Sequence, residues 1–207
     1  LSEQIPDAKR LKVHRGFLSM VRDFEKSFEQ IEFLDSAING RFNHILDDPI
    51  KRSRCLFWLI GHSLGGAMAT LFAARLTDYY QIPHEHIAVY TFGTPPLSNK
   101  HTAERYARTG SRPLSVFRIV NAEDPVPGDR LDNKMDVDSG PLPRPPYKTL
   151  GFRHFGEEIL FTPARCWEFN EIYRTISGSE YSSSSFLDVH FMHAYLAGIE
   201  VLKRMVK

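Results

Sequence analysis

Three residue types far apart in the chain, Ser63, Asp124 and a histidine near the end, are those needed for nucleophilic acyl transfer. A serine hydroxyl is a weak nucleophile at its own pKa. It needs a base within hydrogen-bond reach and a third group to orient that base. Ser63 lies in Gly61-His62-Ser63-Leu64-Gly65. Two glycines and a serine at this spacing arise by accident in roughly one chain of this length in fifteen, so the pentapeptide alone decides little. Its surroundings decide more. The apolar run Cys55–Ile60 stops at Gly61, and Gly65, Gly66, Ala67 and Ala69 follow Leu64. That pattern predicts a fully buried strand, a sharp turn that lifts the hydroxyl clear of the sheet, and a helix whose small first turn lies close to the strand. A side chain at Gly61 or Gly65 is expected to strike the backbone. Backbone N–H groups at the helix start face the place where an anion would form.

Asp124 stands in Asn121-Ala122-Glu123-Asp124-Pro125-Val126-Pro127, directly after the apolar run Leu114–Val120. A strand there puts the carboxylate on the same rim of the sheet as Ser63, and the two prolines stiffen its loop. Three histidines follow. His190 precedes the terminal helix beside a serine run, where a loop can carry it across the rim, and is favoured as the base. His193, inside the helix start, and His154, ahead of an apparent strand, are the alternatives, His154 being better placed for a structural hydrogen bond. His62 is expected to point to the other side of the elbow and to serve packing or orientation.

These side chains need a scaffold that the rest of the sequence supplies. Leu11–His14 alternates like a short strand. Phe17, Met20, Val21, Phe24, Phe28, Ile31, Leu34 and Ile38 recur at three- and four-residue steps, which predicts a long amphipathic helix covering one face of a sheet. The serine-bearing helix should run to about Tyr80. Strands are expected at His86–Phe92 and Leu114–Val120, separated by a helix over about Asn99–Arg108 with Ser98 as its N-cap. Glu157–Phe161 reads as an edge or hairpin strand, and Phe191–Met205 as the closing helix. Irregular insertions are expected near 128–146, which is proline-rich, and near 165–187, which ends in four serines. Strands alternating with helices imply parallel crossovers and an α/β class with its site outside the carboxyl ends of the strands.

Composition is ordinary for one domain with a sizeable core: 207 residues, 42% hydrophobic and 25% charged, with a net charge of +1. The charge gives no electrostatic case for nucleic acid. Cys55 and Cys166 are the only cysteines, so packed thiols are expected rather than a disulfide framework. No run is long enough to cross a bilayer and no leader opens the sequence, which starts at Leu1. Localisation is left open, cytoplasmic and secreted both being compatible.

The chain resembles the fungal-type class 3 lipase family of α/β-hydrolases. Four segments carry the resemblance in the family's order: Val13-His14-Arg15-Gly16-Phe17, the elbow Ile60–Ala67, Tyr90-Thr91-Phe92-Gly93-Thr94-Pro95, and the acid loop Asn121–Pro127. Tyr147 with His154-Phe155-Gly156 is similar to a family segment ahead of the catalytic histidine, which supports a structural His154. His190 before Tyr195 fits the spacing of the catalytic histidine in many members.

The resemblance implies an α/β-hydrolase fold, a mostly parallel sheet with helices on both faces. It also implies a Ser63-His190-Asp124 triad cleaving carboxylic esters of lipids, of triacylglycerol lipase or phospholipase A type, with the Leu64 N–H as an oxyanion donor. No metal or other cofactor is expected, and the implied partner is a lipid ester at a membrane or lipid surface. An acyltransferase on the same fold and a catalytically impaired binding module are the rival functions. Upstream of Val13–Phe17 the family carries a strand ending in an Arg-Gly-Thr or Arg-Gly-Ser turn, which gives the other oxyanion donor, and then a lid helix. Neither is in these 207 residues, so the expected domain, 1–207, is N-terminally incomplete.

Overall fold

The computed structural model describes residues 11–30, 42–108, 113–128, 151–163 and 167–205. Four parallel strands lie side by side in chain order: β1 (Phe57–His62), β2 (Ile87–Phe92), β3 (Ser115–Asn121) and β4 (Glu157–Phe161). Parallel neighbours need crossovers. Between β1 and β2 the chain runs through α4 (Leu64–Asp78), and between β2 and β3 through α5 (Lys100–Arg108). Ahead of β1 lie α1 (Arg15–Gln30), α2 (Phe42–Asp47) and α3 (Pro49–Arg52), and after β4 come α6 (Trp167–Ser177), α7 (Phe186–His190) and α8 (Met192–Met205). The register sets His62 beside Phe92 and Phe92 beside Ile119, so all strands end toward one rim.

Side chains alternate across the sheet, and each face has its own core. Phe57, Ile87, Val89 and Val116 pack with Leu71, Phe72 and Leu76 of α4, and Val21 of α1 closes that layer. On the opposite face Ile119 and Phe161 pack with Tyr195, Ala194 and Ala197 of α8 and with Phe169 and Tyr173 of α6. Helices therefore cover both faces, as an α/β-hydrolase requires.

Several elements differ from the sequence reading. Residues 11–14 form no strand, because only Val13 bridges, to Ser98, which also bridges Arg153. The Asn99 carboxamide, not Ser98, caps α5, accepting from Thr102 N at 3.0 Å, while Ser98 is buried in that pair of bridges. The helix predicted from Phe17 is described to Gln30, and its continuation through Ile31, Leu34 and Ile38 lies outside the described residues. So do Tyr147, Cys166 and residues 129–146 of the first expected insertion.

The second insertion, near 165–187, is ordered where it is described. Trp167–Ser177 is a helix, because Phe169 and Tyr173, four apart, both reach the core. The strand expected to be fully buried is not: Trp58 and Ile60 are 67% and 65% exposed. Among the described residues β1 pairs only with β2, so its other edge is unpaired there.

The elbow itself rests on one glycine of the motif rather than two. A Cβ on Gly61 would stand 2.3 Å from the backbone of Gly65, whereas a Cβ on Gly65 meets nothing within 4 Å. Gly66 is the second tight position, its Cβ falling 1.8 Å from Thr94 Oγ1. Gly61→Ala should thus cost several kcal/mol, while Gly65→Ala should leave stability unchanged or raise it by up to about 1 kcal/mol. Chemical denaturation of the two variants measures both.

Candidate active site

Ser63 is positioned by the abrupt end of β1. Its backbone takes φ 53° and ψ −122°, which L-residues rarely adopt and which costs of order 1–3 kcal/mol. The conformation is held from both sides. Ser63 N donates to Phe92 O at 2.8 Å, and Ser63 O accepts from Gly66 N at 3.1 Å and Ala67 N at 3.3 Å, which starts α4. The N–H groups of Leu64 and Gly65 precede that first helical bond and stand at the positive end of the helix dipole.

Asp124 is placed by the end of β3. Its N–H donates to Asn121 O at 3.1 Å, and its Oδ1 accepts from Val126 N at 2.9 Å, an Asx turn that fixes the carboxylate. Its side chain is fully buried. Oδ2 accepts from His190 Nδ1 at 2.8 Å and from the Tyr195 hydroxyl at 2.5 Å. The other ring nitrogen, His190 Nε2, lies 2.8 Å from Ser63 Oγ. Hydroxyl, imidazole and carboxylate thus form one continuous hydrogen-bonded chain. With a carboxylate at Nδ1 the neutral ring carries its proton there, leaving the Nε2 lone pair toward the serine.

The two alternative histidines, His193 and His154, sit elsewhere. His193 is exposed on α8, three residues past His190. His154 Nε2 donates to Pro127 O at 2.7 Å and so pins the far end of the acid loop, while its Nδ1 is buried with no partner among the described residues. Burial, and then the nearby Arg118 charge, push its pKa down to about 3. His62 does not point away from the site. Its ring centroid is 4.9 Å from that of His190, its Nε2 donates to His190 O at 2.6 Å, and burial lowers its pKa.

Two participants were not singled out by type and spacing. Tyr195, completely buried, entered the sequence reading only as a landmark after the histidine, yet its hydroxyl bonds the carboxylate. Asn121 Nδ2 donates to Val189 O at 2.9 Å, and its Oδ1 accepts from Glu123 N at 3.0 Å. A polar residue closing an apolar strand is the signal that marks it. Phe186 stacks on the His190 ring at 5.0 Å and is 44% exposed; Leu64 is 38% exposed and Phe191 47%. The rim around the serine is therefore apolar.

Removing the tyrosine hydroxyl takes one of three hydrogen bonds from a buried charge, so Tyr195→Phe should lower stability by about 1.5–3 kcal/mol, read by urea unfolding. The His154 titration has a defined sign. Its folded pKa lies below the unfolded value of about 6.5, so the unfolded state binds the extra proton, and the associated stability is lost as pH falls from about 6.5 toward 3. His154→Gln keeps a donor for Pro127 O without titrating. The gap between parent and variant should change by up to about 1.4 kcal/mol per pH unit in that window, measured by unfolding at pH 7, 5.5 and 4.5.

Known proteins share this arrangement of elements. The lipase from Rhizopus microsporus var. chinensis superposes with a TM-score of 0.52 at 25% identity, over 74% of this chain and 43% of that one. Triacylglycerol lipase OBL1 of Nicotiana tabacum is 31% identical over 154 residues, 71% of this chain. Phospholipase A(1) DAD1 of Arabidopsis thaliana is 30% identical over 126 residues, 59% of this chain. The chain spans about a quarter of the length of these two relatives, 23% and 26%. The family profile described as lipase (class 3) matches residues 2–131, which contain the elbow and the acid loop. By that match over more than half its length, the chain belongs to the class 3 lipase family.

Proposed function

We propose that the chain is the catalytic portion of a serine hydrolase that cleaves carboxylic esters of lipids. The series from Ser63 Oγ through the His190 ring to Asp124 Oδ2, with 2.8 Å at each of its two hydrogen bonds, carries the reading. In this account Ser63 Oγ attacks the ester carbonyl carbon as His190 Nε2 takes its proton. Asp124 keeps the imidazole in the required tautomer and stabilises the imidazolium. The carbonyl oxygen gains negative charge and is received by the Leu64 N–H at the head of α4, where the donor is in place before the charge develops. His190 then returns the proton to the leaving alcohol, which departs and leaves an acyl-serine. Water, deprotonated by the same nitrogen, releases the fatty acid and restores the hydroxyl.

The lipid nature of the substrate is supported by the apolar rim. Leu64, which follows Ser63, and Phe186 and Phe191, which flank the His190 ring, expose large hydrophobic surfaces where an acyl chain would leave water. The tobacco relative is named for triacylglycerol and the Arabidopsis relative for phospholipid, so both substrates belong in the test.

Offering a defined phosphatidylcholine and a defined triacylglycerol side by side should give free fatty acid by mass spectrometry, and a fluorophosphonate should label Ser63. Ser63→Ala should lower turnover by about 10⁴ or more while its melting temperature stays near the parent value. Turnover retained in that variant removes the reading. Transfer of the acyl group to an added alcohol in preference to water would make the protein an acyltransferase. A folded chain inert to the probe would favour a binding module.

A further inference from the structure

The base sits on an element too short to hold itself still. α7 spans Phe186–His190, five residues, and its last carbonyls have no helical partners of their own. Both carbonyls at the end of α7 are nevertheless capped, each by a side chain from the end of a different strand. Asn121, the last residue of β3, donates to Val189 O at 2.9 Å, and His62, the last residue of β1, donates to His190 O at 2.6 Å. β1 is also the strand that delivers Ser63, one residue after His62. The nucleophile and the grip on the base's backbone therefore share one rigid support.

We infer that His62 is a positioning residue: by holding the His190 carbonyl it aligns the imidazole between Ser63 and Asp124. This rests on the hydrolase reading above. The nitrogen facing the carbonyl must carry hydrogen, and the neutral ring, which the partial burial of His62 favours, meets this in the tautomer protonated at Nε2. Geometry also limits what can replace it. The amide nitrogen of glutamine reaches about as far as Nε2 of histidine and can make the same bond, whereas phenylalanine fills the space without a donor. Misplacing a catalytic base by about 1 Å can cost up to 10²-fold in rate.

The test uses the 207-residue chain with H62F and H62Q and two readouts. One is the fluorophosphonate labelling rate, with kcat and KM on a soluble short-chain ester. The other is the downfield proton of the Asp124–His190 hydrogen bond in the proton NMR spectrum, which needs no turnover. H62F should melt within a few degrees of the parent, label roughly tenfold to a hundredfold more slowly, lose kcat at nearly constant KM, and broaden the downfield proton. H62Q should recover most of the rate and the resonance. H62M, which lacks a donor without being aromatic, repeats the comparison if H62F fails to fold.

H62F labelling at the parent rate with its resonance intact, or H62Q as impaired as H62F, overturns the inference and leaves the hydrolase reading standing. A parent that resists the probe while the downfield proton follows the expected pattern has the opposite effect: the hydrolase reading falls and the positioning role stands. A parent lacking the downfield proton overturns the inference.

Discussion

A charged carboxylate with no access to water is the constraint around which the rim of the sheet is built. Removing an ion from water costs several kcal/mol even after relaxation, so Asp124 persists as an anion only if its lone pairs are occupied. They are, by three donors from three places: Val126 N in its own loop, His190 Nδ1 in α7 and the Tyr195 hydroxyl in α8. Satisfying the charge thus ties the acid loop to both C-terminal helices. Imidazole placement follows as a by-product, since a ring held at Nδ1 has only rotation about that bond left to lose.

The surrounding polar contacts remove that freedom. Tyr181 donates to Glu123 at 2.7 Å and Tyr173 to Asp188 at 2.9 Å, so the stretch between α6 and α7 is tied to the acid loop and α7 itself is tied to α6. Burial raises the Tyr181 hydroxyl far above its usual pKa and Tyr173 to about 12, so both remain donors at neutral pH. α7 has little core of its own beyond Val189. Its placement comes from hydrogen bonds in a dry environment, where each is costly to leave unmade.

Much of this was legible in the sequence for a physical reason. An apolar run ending in glycine before small residues has few structural solutions, so the strand, turn and helix at Ser63 could be read locally, and so could a carboxylate directly after a strand. The histidine required choosing among three: its position ahead of the terminal helix favoured His190 over His193, which falls within it, but the contacts of His190 with Ser63 and Asp124, 127 and 66 residues away, are not written in the local sequence. Tyr195 and Asn121 were harder still. Their partners lie 71 and 68 residues away, and a buried tyrosine or an asparagine at a strand end reads in sequence as packing or a turn. The motif misled about Gly65. A repeated letter suggested a repeated constraint, whereas the space requirement falls on Gly61 and Gly66, which face each other across the turn, with 3.0 Å between a Cβ on Gly66 and the Gly61 carbonyl.

The same turn explains why the serine stays in an unfavourable conformation. Strand β1 must stop at the rim, and α4 must begin close enough to pack Ala67 and Leu71 under the sheet. Only a residue with positive φ reverses the chain that quickly, and the hydrogen bond from Ser63 N to Phe92 O at 2.8 Å secures it to the neighbouring strand. The few kcal/mol stored there are offset by burial of an entire helix face, at about 25 cal/mol per Å² of apolar surface. The result is a hydroxyl presented at the rim by strand, helix and neighbouring strand together. Its direction is therefore set by the core rather than by its own rotamer preferences, which is what alignment with a ring from a distant helix demands.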